Sequence, residues 1–371
     1  MKFLRYKQYM IGLLALSLFA SCDFEKINTN EFEMLPEEGK MDGISVGGPI
    51  TALQKCVVPV GTQDDGTNVA NEYQVAYHLA ADCWSGYFAQ NNNWNSGRNN
   101  LTYFLMDGWV SASYTSAYTK VIPLWQDIKI KTEKDFPEAY ALAQILKVST
   151  WHKATDMFGP IPYKEAGKGL ISVPYDSQAD VYKYMFEDLT NAIGVLTNAL
   201  EHGTTKLLPN ADAVYGGNVK KWIVYANSLM LRLAMRVYYA DEAMSKKYVL
   251  QAVNNPYGVM QSKDDEAKME KGAGLTFINN IEILSNQYNE CRMGSSMQAY
   301  LGGYEDPRLP KYFTESEAYF AKKVGQYGSY MAVPTGNIAS QNEVFKMASR
   351  PNVTKTTATY WMRASEVYFL L

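Results

Sequence analysis

The stretch A-Y-A-L-A-Q-I-L-K-V-S-T-W-H-K-A-T-D-M-F-G-P-I-P-Y-K-E-A, Ala139–Ala166, joins an apolar segment to an abrupt turn, and the rest of the chain can be placed around it. Leu142, Ile145, Leu146 and Ser149 fall on one helical stripe. Val148 and Trp151 widen that stripe, so the spacing predicts a helix buried on more than one side. Ala139, Ala141 and Ala143 keep its flanks thin, which lets neighbouring helices approach closely. Gly159 is expected to end the helix in a left-handed conformation, and Pro160 and Pro162 bar it from resuming.

Helical periodicity continues on both sides. Asn71–Gln90 reads as a first long helix, and Ser111–Lys131 as the next, with Tyr114, Tyr118, Val121, Ile122, Trp125 and Ile128 on one face. Pro123 inside that pattern predicts a kink or a restart. The short link Glu133–Pro137 makes this helix and the Ala139 helix antiparallel neighbours. Downstream, Ser177 and Asp180 resemble a capping box ahead of Tyr182, Met185, Phe186, Leu189, Ile193, Leu196 and Leu200, a single face over about five turns. Asn218 is placed to cap a further helix whose stripe is Trp222, Ala226, Leu229, Met230, Leu233 and Val237, with Arg232 and Arg236 off it. Residues 23–70 read as an extended, turn-rich approach. Gln63–Asn68 there is a turn, since it lacks the alternate ligand spacing and terminal Glu of a calcium loop. Residues 241–350 are rich in Gly, Asn and Tyr, with short elements and long connections of the kind that carry function. Tyr360–Leu371 reads as the opening of an amphipathic helix that stops inside its apolar stretch, as in a truncated chain.

The first residues carry Lys2, Arg5 and Lys7, then the apolar run Met10–Leu16 continuing through Leu18-Phe19-Ala20, then Ser21-Cys22. That is a secretory signal, too short in its apolar core for a membrane helix. Ending on cysteine, it reads as a lipoprotein signal with Cys22 the lipidated residue. Each buried methylene of an acyl chain contributes ~0.8 kcal/mol, so several chains anchor durably. The chain has 35 basic and 38 acidic residues, a net −3; losing three basic residues and no acid with the signal takes it to −6. This argues against a nucleic-acid partner. Cys56, Cys83 and Cys291 form no metal-binding pattern and are expected to be buried and inert, with one disulfide open. The 28 Tyr and 7 Trp admit two uses, packing between helices and lining a half-wet binding face.

Three separated segments carry a family resemblance. Thr155–Ala166, T-D-M-F-G-P-I-P-Y-K-E-A, is similar to the "TD-x-[FY]-G-x-[IV]-P-Y-x-E-A" signature of SusD/RagB-like outer-membrane lipoproteins of the Bacteroidetes. Trp222–Arg236 resembles the family's "W-x-x-x-A-N-S-L-x-L-R-L-A-x-R" helix, and Asp306-Pro307-Arg308-Leu309 with Tyr312-Phe313 its "D-P-R-L…Y-F" segment, which Gly325–Asn337 usually follows. Phe19-Ala20-Ser21-Cys22 resembles a lipobox, and Asp23 and Glu25 the acidic tag that sends such lipoproteins to the surface. The resemblance implies a mainly α fold of tetratricopeptide-type helical hairpins with long loop-rich insertions, although no clean period of about 34 residues is visible. It implies a signal at 1–21 and a single domain over 22–371. Within that domain, 22–70 is the approach, 71–240 the helical scaffold, 241–350 the loop-rich ligand or partner region, and 351–371 the start of a truncated helix. It further implies a lipid-anchored cell-surface protein that binds oligosaccharides and passes them to a SusC-like TonB-dependent transporter.

No catalytic arrangement is visible. The three His are His78, His152 and His202; His152 reads as a core residue and His202 as sitting at a helix end. No nucleophile elbow, zincin, P-loop or dinucleotide motif occurs. Neither an enzyme, a cofactor nor a metal is expected, and Asp156 and Glu165 read as structural. A sugar binder needs aromatic platforms and amide donors on a rigid frame. The richest stretch is Trp84–Trp109, and the resemblance adds Asn286–Asn289. The candidate ligand-binding residues are Trp84, Tyr87, Trp94, Asn95 and Tyr288, with scaffold packing or transporter contact as the alternative for each. Peptide binding by the helical repeats and, further off, a surface glycosidase are the other function classes.

Overall fold

The computed structural model describes residues 44–60, 72–270, 277–317, 329–336 and 343–371. The signal and Cys22, the turn at Gln63–Asn68 and part of Gly325–Asn337 lie outside the described residues. The chain divides into Met1–Ser45 and Val46–Leu371; of the first, Ile44 and Ser45 are described, as the opening of a helix. In chain order the main helices are α1 (Ile44–Val57), the π-helical α2 (Gln74–Asp82), α3 (Ile122–Thr132), α4 (Pro137–Phe158), α5 (Gln178–Glu201), α6 (Val219–Arg236), α7 (Glu242–Val253) and α8 (Ala364–Leu370). The fold is mainly α-helical, as expected.

Pro137 opens α4, where its missing N–H is one that no helix would use. The helix is buried on several sides, including the polar Gln144, Lys147, Ser149 and His152. The Trp125 indole donates to Gln144, and the Tyr118 ring, in the turn leading into α3, lies 4.9 Å from Trp151, so α3 and the turn before it run against α4. Gln178 donates to the Thr155 carbonyl at 2.7 Å while Gln144 donates to Asp188 at 2.8 Å, so α5 runs against α4 as well. Tyr225 reaches Ser149 at 2.8 Å and Arg236 pairs with Asp156, which sets α6 along α4. Phe186 stacks on Tyr248 at 3.9 Å and Gln251 bonds Thr190, which sets α7 along α5. Direction therefore alternates from α3 to α7, giving the helical hairpins that the stripes predict.

The caps stand where the sequence puts them. Ser177 Oγ accepts from Asp180 N at 3.1 Å, and Asn218 Oδ1 accepts from Lys221 N at 3.0 Å. His202 is the C-cap of α5, its ring on the Asn198 carbonyl at 2.8 Å. Gly159 ends α4 with a positive φ of 72°, but its ψ of −120° lies outside the left-handed helical region expected, in a region open to glycine alone. Asp176 Oδ2 then accepts both Tyr163 N and Lys164 N at 2.8 Å and closes the turn. The Tyr163 hydroxyl donates to Asp188, which also holds Lys147 Nζ at 2.9 Å. That ammonium sits 4.4 Å from both the Trp125 and Tyr163 rings, and burial lowers its pKa.

Three expectations are corrected. Within the supposedly extended 23–70, α1 is helical despite Gly47, Gly48 and Pro49. A Cβ on Gly47 would come within 3.0 Å of Ala211, so small residues there permit docking. Gln54 of α1 donates at 2.8 Å to buried Asp212, which also accepts the Trp222 indole at 2.8 Å. The helix expected over Asn71–Gln90 stops at Asp82; the chain turns at Gly86 (φ 77°) into strand β1, Phe88–Gln90. The restart expected within Ser111–Lys131 is present: Ala112–Ser116 leads through a π turn at Ala117–Val121 into α3. Pro123 lies in the first turn of α3 and offers no N–H to the turn before it. Tyr360–Leu371 begins as a strand. Counting β2 (Ala267–Met269) and β3 (Cys291–Met293), this strand, β4 (Thr359–Met362), pairs antiparallel with β2 before α8 starts. Arg232 off the α6 stripe holds Glu366 through two bonds of 2.6 and 2.7 Å, and Phe369 on α8 stays 91% exposed.

Candidate functional site

The sequence between β1 and Trp109 and the sequence just before β3 lie almost two hundred residues apart, and pairing brings them together. Strands β1 and β3 run antiparallel with Phe88 opposite Met293 and Gln90 opposite Cys291. Gly294 is forced by this approach, since a Cβ there would lie 2.2 Å from the Gly86 carbonyl oxygen. Asn91 Nδ2 donates to the Asn289 carbonyl at 2.9 Å, so the two loops predicted to share a ligand are neighbours.

Buried cations and amides fix these loops. Arg292 is fully buried and, among the described residues, pairs with no carboxylate; it donates to the Lys346 carbonyl at 2.9 Å, to the Cys291 carbonyl at 2.8 Å and to the Asn289 side chain. Burial, reinforced by Arg350, lowers its pKa to about 10. Arg350 donates to the same Asn289 oxygen at 3.1 Å, and Asn289 is held at a φ of 58°. Burial also raises the Glu290 carboxyl, against hydrogen bonds from Asn92, Gln74 and Trp94. On the other loop, Asn99 accepts from Leu101 N and donates to the Trp94 carbonyl at 3.0 Å, while Asn100 Oδ1 takes Met106 N at 2.9 Å. These contacts stiffen a segment with little regular structure.

The five candidate residues fall into three places. Trp94, Asn95 and Tyr288 share the joined loops. The Trp94 ring meets Trp109 edge-on at 5.7 Å, Asn95 spends its amide on the Arg98 carbonyl at 2.6 Å, and Tyr288 packs on Tyr73, Leu284 and Cys291. Trp84 stands apart, 46% exposed, its indole N–H on the Asn100 carbonyl at 2.8 Å. Its ring lies nearly parallel to Tyr103, with centroids 6.4 Å apart and planes 15° from each other. Tyr87, 58% exposed, faces a different cavity. Tyr103 lies in the aromatic-rich stretch but is not among the five candidates; it is 86% exposed and held at a φ of 60°, next to the exposed Phe104 and Leu105. Three successive apolar residues just after an amide-rich turn were the available signal.

His78, Asp82 and Cys83 have the residue types of a nucleophilic triad, with His78 3.6 Å from both partners. Cys83 and His78 are fully buried, so no substrate reaches the sulfur. His152 bonds the Val148 carbonyl, and burial lowers its pKa well below the usual value. Burial raises the Cys56 thiol to about 12 and the Cys291 thiol as well. Among the described residues, no group of three or more His, Cys, Asp or Glu could hold a metal, and no helix is long and apolar enough to cross a membrane.

A family model described as SusD-like, "Susd and RagB outer membrane lipoprotein", matches residues 26–371. The chain belongs to this SusD-like family. The solved structure of BT1043 is 34% identical with a TM-score of 0.79, over 88% of this chain and 64% of its own. A chitin-binding SusD homologue from Flavobacterium johnsoniae is 31% identical with a TM-score of 0.79, over 88% and 64%. A SusD homologue from Bacteroides vulgatus is 27% identical with a TM-score of 0.80, over 89% and 66%. The SusD-like chain therefore spans 64% to 66% of the length of these relatives. No curated protein is matched. The SusD-like signature at Thr155–Ala166 accordingly marks the scaffold: Thr155 bonds the Gly159 carbonyl at 2.7 Å, Asp156 accepts the Tyr182 hydroxyl, and Glu165 pairs with Lys168.

Proposed function

We propose that the protein is a cell-surface lipoprotein, anchored through Cys22, that captures glycans and passes them to a SusC-like TonB-dependent transporter without breaking bonds. In this role residues 22–371 work as one SusD-like domain downstream of a signal at 1–21, with tetratricopeptide-type hairpins as the frame and the joined loops as the capture face. The observation that carries it is the Trp84–Tyr103 pair. Two exposed aromatic rings with nearly parallel planes, Tyr103 on the amide-stiffened loop and Trp84 beside it, offer apolar faces that suit the C–H face of a pyranose. Trp94, Asn95 and Tyr288 extend the face, with the exposed Asn93 amide beside them as a hydroxyl partner, while Tyr87 stands at the other cavity. The chitin-binding relative from Flavobacterium johnsoniae supports a glycan as the ligand class.

Calorimetric titration with chitooligosaccharides and a panel of neutral glycans tests this. Trp84→Ala and Tyr103→Ala are each expected to weaken glycan binding about tenfold or more, the loss of one aromatic contact, and to leave capture by the transporter intact. Unchanged glycan affinity in both variants would move the ligand away from this platform.

A further inference from the structure

A second cavity, of about 760 Å³, opens between the Tyr87 turn, the segments around Tyr300 and Tyr312, and the stretch leading to Arg363. Its size suits a small ligand rather than water alone. Tyr87, Tyr300 and Tyr312 give it three partly exposed aromatic walls. Arg308, Lys311 and Arg363 also line it, and among the described residues no Asp or Glu does. This runs against a chain whose net charge is −3.

The three cations are not equivalent. Asp306 holds Arg308 with bonds of 2.9 and 2.5 Å, so that charge is already compensated. Lys311 has no carboxylate partner among the described residues. Arg363 rests its guanidinium 3.7 Å from the Tyr360 ring and pairs with no acid there. Both residues are exposed, so a neutral ligand would leave the two charges to solvent, whereas an anionic one would pair them. A planar guanidinium fork and an ammonium lining one cavity each match a carboxylate, and the tyrosine faces match a sugar ring.

We infer that this cavity binds an acidic glycan, with a uronic-acid unit laid against the tyrosines and its carboxylate taken by Arg363 and Lys311; the inference rests on the glycan-binding reading and names the ligand class. The site is separate from the Trp84–Tyr103 platform in the residues it uses.

Titration of the whole chain with tetragalacturonate, chitotetraose and a sulfated heparin disaccharide tests it. Tetragalacturonate is expected to bind, to weaken with added NaCl, and to lose about tenfold in affinity with Arg363→Gln and again with Lys311→Gln, as for the loss of a charged hydrogen bond. Both side chains lie at the surface, so neither variant should disturb folding. Chitotetraose affinity is expected to be the same in both variants. Binding of neutral glycans alone, or tetragalacturonate binding indifferent to both substitutions, overturns the acidic-glycan inference while glycan capture stands. Binding of the sulfated disaccharide alone through the same two residues overturns the choice of a carboxylate. No binding to any glycan in the panel overturns both proposals together.

Discussion

The hairpin scaffold and the joined loops treat polar and aromatic groups in opposite ways. In the scaffold, Asp188 serves Lys147, Gln144 and Tyr163, and Asp212 serves Gln54, Trp222 and the Gly217 amide. Aromatic rings there, Trp151 and Trp222, are fully buried. In the loops, amides and buried guanidiniums satisfy the backbone, while Trp84, Tyr87 and Tyr103 are left facing solvent. The first region invests its polar groups in stability, and the second uses them to hold apolar surface in water. An exposed ring on a stiffened loop calls for a ligand in a way that an exposed ring on a frayed one does not.

The largest effect expected from breaking this contrast is Asp188→Ala. It strands the Lys147 ammonium between two rings, and uncompensated buried charge of this kind costs about 3–5 kcal/mol. Denaturant unfolding should show that loss, and adding Lys147→Met should restore most of it, because the stranded charge is then gone. A double variant no more stable than the single one would mean that the Gln144 and Tyr163 bonds to Asp188 matter more than the ion pair.

The scaffold was the legible half. Helical stripes, the Ser177 and Asn218 caps and the Gly159 stop are local signals, and each appears where the spacing puts it. Three failures share a cause, which is that tertiary contact decided what local propensity did not. α1 carries two glycines and a proline and is helical because its Gln54 and Thr51 dock on the Ala211–Asp212 loop. β1 and β3 are three residues each, too short for an alternation to show, and only their pairing joins the Asn91 and Asn289 loops. Tyr103 was one tyrosine among many, and nothing in the sequence marks its left-handed backbone or its stack on Trp84.

A smaller effect separates two lysines of α4. Lys147 has its carboxylate, whereas Lys153 donates to the Val57 carbonyl and, at 3.1 Å, to the Tyr77 hydroxyl, with its Nζ 4.7 Å from the Tyr77 ring. Burial, with Arg232 and Arg236 adding repulsion, brings the Lys153 pKa from 10.5 down to about 7. A depressed lysine means that between those two values the unfolded chain holds a proton the folded one lacks. Stability therefore rises with pH across that window, and this group weighs most against the fold below about pH 7. Lys153→Met should raise the unfolding midpoint at pH 6 and flatten its rise from pH 7 to 10. Parallel profiles for variant and parent would show that Lys153 stays protonated through the range.

The smallest expected change in stability belongs to Tyr103→Gly, and it should have the opposite sign to its effect on binding. Tyr103 is 86% exposed, so its ring contributes little burial, and its φ of 60° strains any residue with a Cβ. Glycine relieves that strain but gains freedom in the unfolded chain, leaving a net effect within about 1 kcal/mol and in the stabilising direction. A scaffold ring removed by substitution lowers stability because packing is all it does. If the Tyr103 ring is instead half of a sugar platform with Trp84, the variant should melt at or slightly above the parent temperature while chitooligosaccharide affinity falls about tenfold. Thermal melting and titration on one preparation read both signs. A fall in both together would place Tyr103 with Trp151 and Trp222 as a packing residue and erase the distinction between the two regions at this position.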